Sequence, residues 1–304
     1  MQRISLRTRS SVPEAALRGV CAQVAVSTPG VRCFEFHAQQ CHLSDGALAV
    51  LGRGISDLPV LARAVILVPM NSLTVLGLRR FMDVLTSTSL TELTLDVSGN
   101  WIRGADYGYE VVRPATTLPA LRHLSLTFGG WGVRKRFGLE HLSRLGLARG
   151  LRSLSVRIVG ARVTSDALRK AIGGLANLPL LTKLDLDLAT CEVGDQCHRA
   201  LVALRSAIPV RRLTLCLGAP GERVLQVVAA LRHMPSLERL HLTLDWRLHA
   251  FSTAHAQLVA HVATVPEVGL CLCRARWAAG EDPLGILVSA GVALQLQDCM
   301  ALPS

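Results

Sequence analysis

Aromatic side chains are scarce, with Phe, Trp and Tyr at 4% of the 304 residues although half of the chain is hydrophobic. A core short of large rings has to be assembled from many similar small layers of Leu, Val and Ala, which is what a repetitive fold needs. Also absent is a continuous apolar run of the ~18 residues that cross a bilayer. The longest candidate, Val60 to Met70, is too short and is interrupted by Arg63. With a mean hydropathy of +0.37, the apolar excess therefore belongs in a large core or an interface, and no membrane association is expected. Lysine is nearly missing, being confined to Lys135, Lys170 and Lys183, so the net charge of +11 is carried by arginine. Such a field favours acidic protein surfaces or nucleic acid as partners and says nothing about fold. The nine cysteines are odd in number and form no CxxC pair. That argues against a secreted disulfide framework and for reduced thiols in the cytoplasm, with the nucleus as the other compartment. The opening MQRISLRTRSSVPEAALRG has the arginines and serines of an organelle transit peptide, but it also fits the repeat that fills the rest of the chain.

Internal self-similarity is plain. Apolar residues at positions one, four and six of a hexad occur as Leu90, Leu93, Leu95, then Leu121, Leu124, Leu126, then Leu151, Leu154, Val156. They continue as Leu181, Leu184, Leu186, as Val210, Leu213, Leu215 and as Leu237, Leu240, Leu242. Weaker copies precede these at 1, 31 and 61 and follow at 265 and about 291, so that eleven starts are separated by 26 to 31 residues. Ten residues after a start stand Ser11, Cys41, Asn71, Asn100 and Cys191, small polar side chains able to turn inward and bond the backbone of the bend after the strand. Trp131, Ala161, Pro220, Arg247 and Ala275 hold that place in other copies, whose bends must be satisfied differently. The second half of each unit reads as helix: Cys197, Leu201, Leu204 and Ile208 share one helical face, as do Leu168, Ile172 and Leu175, and Val224, Val228 and Leu231. Ser44-Asp45, Thr164-Ser165-Asp166 and Asp195 are helix-start residues.

The chain thus resembles the leucine-rich-repeat family, specifically its ribonuclease-inhibitor-like class, over essentially its whole length. The resemblance implies an α/β solenoid of about ten to eleven repeats, a horseshoe with a parallel concave sheet and convex helices, forming one domain over 1–304. No unit buries its apolar face alone, so stability comes from stacking. Neither end shows a distinct polar cap, and an exposed edge strand invites pairing. A fragment of a longer chain, self-association through an uncapped end and membership of a larger assembly are all compatible with that.

Strand alternation places positions three, five and seven on the concave face. Lys183, Arg212 and Arg239 stack there as consecutive cations, with Arg211 beside them, Asp185 and Asp187 on the next columns, and Arg157 and His241 nearby. These eight residues form the expected partner contact. Three adjacent cations repel unless an acidic ligand or the aspartates neutralise them, so an acidic docking surface and a self-neutralised solvated face are the two readings. Trp101, Trp131, Trp246 and Trp277 fall on the bend leaving the strand, along one rim, with Tyr107 and Tyr109 near Trp101; they either bind a partner or cover the core edge. Arg134-Lys135-Arg136 forms a basic loop, and Arg79-Arg80 and Arg169-Lys170 belong to the convex helices.

Catalysis needs convergent groups, and repeat geometry disperses them. Asp96 and Asp187 share a column three strands apart, roughly 14 Å by strand spacing, too far for a carboxylate pair. Cys33, His37, Cys41 and His42 suggest zinc by composition, but Cys41 is expected to turn into the core while Cys33 and His37 face out, so tetrahedral convergence fails. Cys271 and Cys273 are too few for a closed site, and no phosphate loop, dinucleotide fingerprint or nucleophile elbow occurs. No catalytic residue, metal or cofactor is assigned. The sequence is read as a protein-interaction scaffold for an acidic partner; a basic nucleic-acid-binding module is the alternative.

Overall fold

Each hexad becomes one strand of a parallel sheet. The computed structural model describes residues 2–85, 89–102, 107–130, 139–175, 177–193, 197–204, 209–218, 227, 231, 233–245, 250–273, 276–277 and 280–297. Within these, β1 is Gln2–Thr8, β2 Val31–Ala38, β3 Arg63–Leu67, β4 Glu92–Asp96, β5 His123–Gly129 and β6 Ser153–Val159. They are followed by β7 at Lys183–Leu188, β8 at Arg212–Gly218, β9 at Arg239–Asp245, β10 at Glu267–Cys273 and β11 at Ala293–Gln297. The eleven strands lie in one open sheet in chain order. Parallel neighbours need a long crossover, and helices in the second half of the coils supply it wherever that half is described: α1 (Glu14–Ser27), α2 (Asp45–Ser56), α3 (Val75–Val84), α4 (Tyr107–Val112), α5 (Pro114–Thr117), a 3-10 helix (Leu139–Leu147), α6 (Ser165–Leu175), α7 (Cys197–Val202), α8 (Thr253–Ala260) and α9 (Pro283–Ser289). Among the described residues no helix is long and apolar enough to cross a membrane.

Register shows that the coils share one spine. Leu124 pairs with Leu154, Leu154 with Leu184, Leu184 with Leu213 and Leu213 with Leu240 as adjacent rungs. All five are at most 2% exposed. Burying each leucine stabilises the fold by roughly 2 kcal/mol. The last copy differs from the expected placement: Leu294 pairs with Leu270 and Leu296 with Leu272, so the hexad starts at Ser289 rather than near 291, with Val292 at position four. The whole coil is shorter: Val265 to Ser289 spans 24 positions, against 27 to 31 between the other starts, so the chain returns to the sheet sooner. Two small parallel ladders, Arg162–Val163 with Glu192–Val193 and Ala250–Phe251 with Arg276–Trp277, extend the bends after the strands.

The inward polar position does more than close its own bend. Asn71 Oδ1 accepts from the Cys41 and Leu43 amides of the preceding coil, both at 2.9 Å, while its Nδ2 donates to Ala38 O at 2.7 Å and Val68 O at 3.0 Å. Asn100 repeats this one coil on, accepting from Asn71 N at 3.0 Å and Leu73 N at 3.2 Å. One amide therefore saturates buried backbone groups of two coils. A thiol does less: Cys191 Sγ donates to Ile158 O at 3.2 Å. At Ala161, which has no polar atom to offer, the hydroxyl of Thr190 in the next coil takes over, accepting from Gly160 N and donating to Ile158 O, each at 3.2 Å. The other four substituted positions, Trp131, Pro220, Arg247 and Ala275, lie outside the described residues.

Helix starts follow the expected chemistry where they are described. Ser44 Oγ accepts from Ala47 N at 3.1 Å and Thr164 Oγ1 from Ala167 N at 3.3 Å. Asp45 does not cap its own helix; its carboxylate accepts from Thr74 N at 2.9 Å and Thr74 Oγ1 at 2.6 Å, tying α2 to the start of α3. Leu201, Leu204 and Leu231 are fully buried, as are the Leu168 and Ile172 side chains of α6 within a few per cent. Asp195, Ile208, Val224 and Val228 lie outside the described residues. The convex layer is packed closely enough that a Cβ on Gly174 would sit 2.2 Å from Ser143 O.

Candidate interaction surface on the concave face

Positions three, five and seven form three columns that cross the sheet, and their exposure changes along it. At the β1–β3 end the face is filled by its own side chains. Arg3 Nη2 lies 2.6 Å from Glu35 Oε2, Arg63 lies 3.7 Å from Glu92, and Cys33, Glu35 and Val65 are all buried. Sequence alternation alone places those three on an open wall; the structure corrects this, because neighbouring long side chains fold over them. The hydrogen bond from Arg3 holds the Glu35 carboxyl below the ordinary glutamate range. Burial pushes the Cys33 thiol up, so it is not a thiolate at neutral pH. His37 Nε2 stands 3.8 Å from Glu35 Oε2. Cys41 is turned the other way, its thiol donating to Thr8 O and Gln39 O. Among the described residues no three His, Cys, Asp or Glu side chains converge as metal ligands.

The β6–β11 end is arranged differently. Arg212 pairs in register with Lys183 on one side and Arg239 on the other, so the three cations do occupy adjacent rungs about 4.8 Å apart. Two of them are neutralised within the face: Lys183 Nζ lies 3.1 Å from Asp185 Oδ2, and Arg239 Nε lies 2.6 Å from Glu267 Oε2. Asp187 is held by Arg157 at 3.2 Å. Arg212 is exposed and, among the described residues, makes no ion pair. Asp185 Oδ1 is buried without a hydrogen-bond partner, an acceptor left open one rung from Thr214. Arg211 does not join the group; it precedes the strand, pairs with Glu238 at 2.9 Å and faces the rim.

Beside Arg212 the face opens into a recess of about 390 Å³ whose walls include Lys183, Arg212, Arg239, His241 and Glu267. It exists because position five loses its side chain in the last coils, where His241 is followed by Gly269 and Ala293. A Cβ on Gly269 would lie 2.8 Å from His241 Nδ1, so the ring occupies the space that a larger residue would claim. Thus six of the eight residues expected from sequence, Lys183, Asp185, Arg212, Arg239, Asp187 and Arg157, lie together on adjacent rungs as two internal ion pairs, a cation paired with Glu267 and the unpaired Arg212, with His241 adjoining and Arg211 outside. Sequence reasoning missed Glu267, Gly269 and Ala293. The readable trace was the break at position five, the one column position in β10 with no side chain.

Charge on the three columns is nearly balanced. Arg3, Arg7, Arg63, Arg157, Lys183, Arg212 and Arg239 face Glu35, Glu92, Asp96, Asp185, Asp187 and Glu267, seven cations against six carboxylates. The arginine surplus therefore lies elsewhere, in part on the rim before the strands, where Arg149 and Arg152 are exposed. On the opposite rim Trp101 is 62% exposed. Trp131, Trp246 and the basic loop Arg134-Lys135-Arg136 fall outside the described residues, and of Trp277 only the backbone pairing with Phe251 is described. Tyr109 does not extend the Trp101 patch; it lies under the Arg144 guanidinium, 4.5 Å from the ring centre. On the convex side Arg79 bonds the buried Glu110 at 2.8 Å, and Lys170 pairs with Asp166 at 2.9 Å.

Eleven parallel strands with a shared leucine spine, inward asparagines at the bends and helical returns in the described coils define a leucine-rich-repeat solenoid. Among solved structures the chain is similar to the leucine-rich repeat-containing protein LegL7 from Legionella pneumophila, at 16% identity over 95% of this chain and 88% of that one, with a TM-score of 0.49. It is also similar to a chain of the Rad7 and Elc1 complex in yeast, at 11% identity over 91% and 78%, with a TM-score of 0.37. Both scores fall below 0.5, and the fold assignment rests on the strand register. No family model matches the sequence, and no curated protein matches it.

Proposed function

We propose that this chain is a protein-interaction scaffold, one solenoid of the ribonuclease-inhibitor-like class over 1–304, working in the cytosol or nucleus. Its partner docks on the concave face across β6–β10 and contributes acidic groups to Arg212 and its neighbours. The observation that carries this reading is the recess beside an unpaired arginine. A solvated face that merely balances its own charge has no need of it. The rest of that face is already ion-paired, which makes it a shape to be matched rather than a general polyanion binder.

Photocrosslinkers placed at Thr214 on this face and at Arg169 on the convex helix test the reading in cells. The same protein should be trapped from position 214 and not from 169, and Lys183→Glu with Arg212→Glu should abolish that product while leaving the circular dichroism unchanged. Equal trapping from both positions would move the interface elsewhere. The nucleic-acid alternative has one favouring observation, the exposed Arg149 and Arg152 on the rim. It predicts binding whose logarithm falls linearly and steeply with the logarithm of salt, which a filter-binding titration at two salt concentrations measures.

A further inference from the structure

We propose that the recess beside Arg212 receives a single carboxylate, the side chain of a glutamate in the docked partner. This rests on the concave face being the docking surface and adds the chemistry that is read there.

Charge counting carries the argument. Of the three stacked cations, Lys183 is bound to Asp185 and Arg239 to Glu267, so one positive charge remains uncompensated, at Arg212. A planar guanidinium presents a fork of N–H donors that matches a carboxylate in bidentate fashion, more closely than it matches a rounder or neutral group. The surroundings set an upper limit on ligand charge. Glu267 forms part of the wall, and Asp185 lies on the rung beside Thr214. A phosphate dianion would face both carboxylates with only one free cation, unless Lys183 or Arg239 gave up its present partner. One negative charge is neutralised; a second is repelled.

Shape points the same way. Gly269 and Ala293 leave the space, and the exposed His241 ring stands at its edge as a second polar contact. Leu240, Val268 and Leu270 lie beneath as an apolar floor on which the methylenes of a glutamate can rest. The opening spans columns three to five at the N-terminal ends of β7 to β10. A polypeptide crossing the face beside these strand ends reaches it with a side chain.

The test is an NMR titration of the full chain, read on the Arg212 Nε–H and the His241 ring resonances. The probes are N-acetylglutamate N-methylamide, its glutamine counterpart, its phosphoserine counterpart, and N-acetylalanine, whose only carboxylate is terminal. The glutamate probe should saturate with a midpoint on the order of 10 mM, a weak affinity suited to one side chain. The glutamine probe should bind at least ~10-fold more weakly, as should the glutamate probe to Arg212→Gln when read on His241. Gly269→Val should remove the response by filling the recess. An equal response to glutamine, or tighter binding of phosphoserine or N-acetylalanine, would overturn the proposal, as would no response to any probe. If the probes fail while crosslinking from position 214 still traps a partner, the docking face stands and only the carboxylate recess is lost; if both fail, the face goes with it.

Discussion

The two ends of the concave face use the same alternation to opposite effect. Around β1–β3, position five carries Ser5, Glu35 and Val65; Ser5 on the edge strand is exposed, but Glu35 and Val65 are buried, Glu35 at 6% exposure under Arg3. Around β9–β11, position five carries His241, Gly269 and Ala293, and the same column leaves a cavity. Apart from a one-residue shift at the start of β1, the strands are in continuous register. What differs is side-chain volume in one column and whether the cation beside it is already paired, as Arg63 is with Glu92 and Arg212 is not. The ends also differ in how their coils are joined, since asparagine amides staple β2 to β4 while a thiol and a hydroxyl do the work near β6 and β7.

The largest expected effect breaks the stapled end. Asn71→Ala strands two buried amides, Cys41 N and Leu43 N, at roughly 1–3 kcal/mol each. A loss of about 3–5 kcal/mol follows, visible in urea unfolding and as faster hydrogen exchange at those two amides. Cys191→Ala removes one weak donor and should cost about 1 kcal/mol. Similar losses at both sites would mean that the two ends are held equally.

Next comes the open end. Gly269→Val should displace His241 and fill the recess, weakening the glutamate probe at least ~10-fold, which is about 1.4 kcal/mol. The reverse change in the closed end, Val65→Gly, should create no binding, because Arg63 is already paired with Glu92. Gain of probe binding in that variant would show that volume alone, without an unpaired cation, makes a site.

Much of this was legible beforehand. Hexad spacing places the strands, and the rungs from Leu124 to Leu240 follow from it; the inward role of Asn71 and Asn100 follows from residue type. The stack of Lys183, Arg212 and Arg239 is a matter of counting positions. Three things were not legible. Which carboxylate neutralises which cation depends on side-chain reach across rungs, so Glu267 could not be chosen over Asp187 from spacing. The last coil reaches the sheet two residues early, and a degenerate hexad does not show that. Burial of Cys33, Glu35 and Val65 on a nominally open face depends on what neighbouring coils lay over them.

A smaller effect concerns pH at the closed end. The Glu35 carboxyl is held low by Arg3, so its contribution is fully present above the unfolded glutamate value of about 4.3 and is lost as pH falls through the folded value. Glu35→Gln should therefore destabilise the chain at pH 7 by about 1 kcal/mol at most, since Arg3 is well exposed. The difference from the parent should shrink below about pH 4. A constant difference across that range would assign the loss to packing instead of charge.

The smallest effect belongs to Cys216, which shares column seven with Asp187 at the open end. Burial is the main cause that pushes its thiol up to about 11, with Asp187 and Asp185 adding to it, against a weaker opposing hydrogen bond from Thr243. A raised thiol favours the folded state while it is neutral: the benefit is whole below the unfolded value of about 8.5 and drains away as pH climbs toward about 11. Cys216→Ala should change stability at pH 7 by only about 0.5 kcal/mol, yet flatten part of the alkaline decline measured by urea unfolding between those two values. Native alkylation at pH 8 should likewise be at least ~100-fold slower at Cys216 than in the unfolded chain. Rapid alkylation there would mean that the column carries a thiolate, and a thiolate beside Asp187 would add negative charge next to the recess and so weaken the case for a carboxylate entering it.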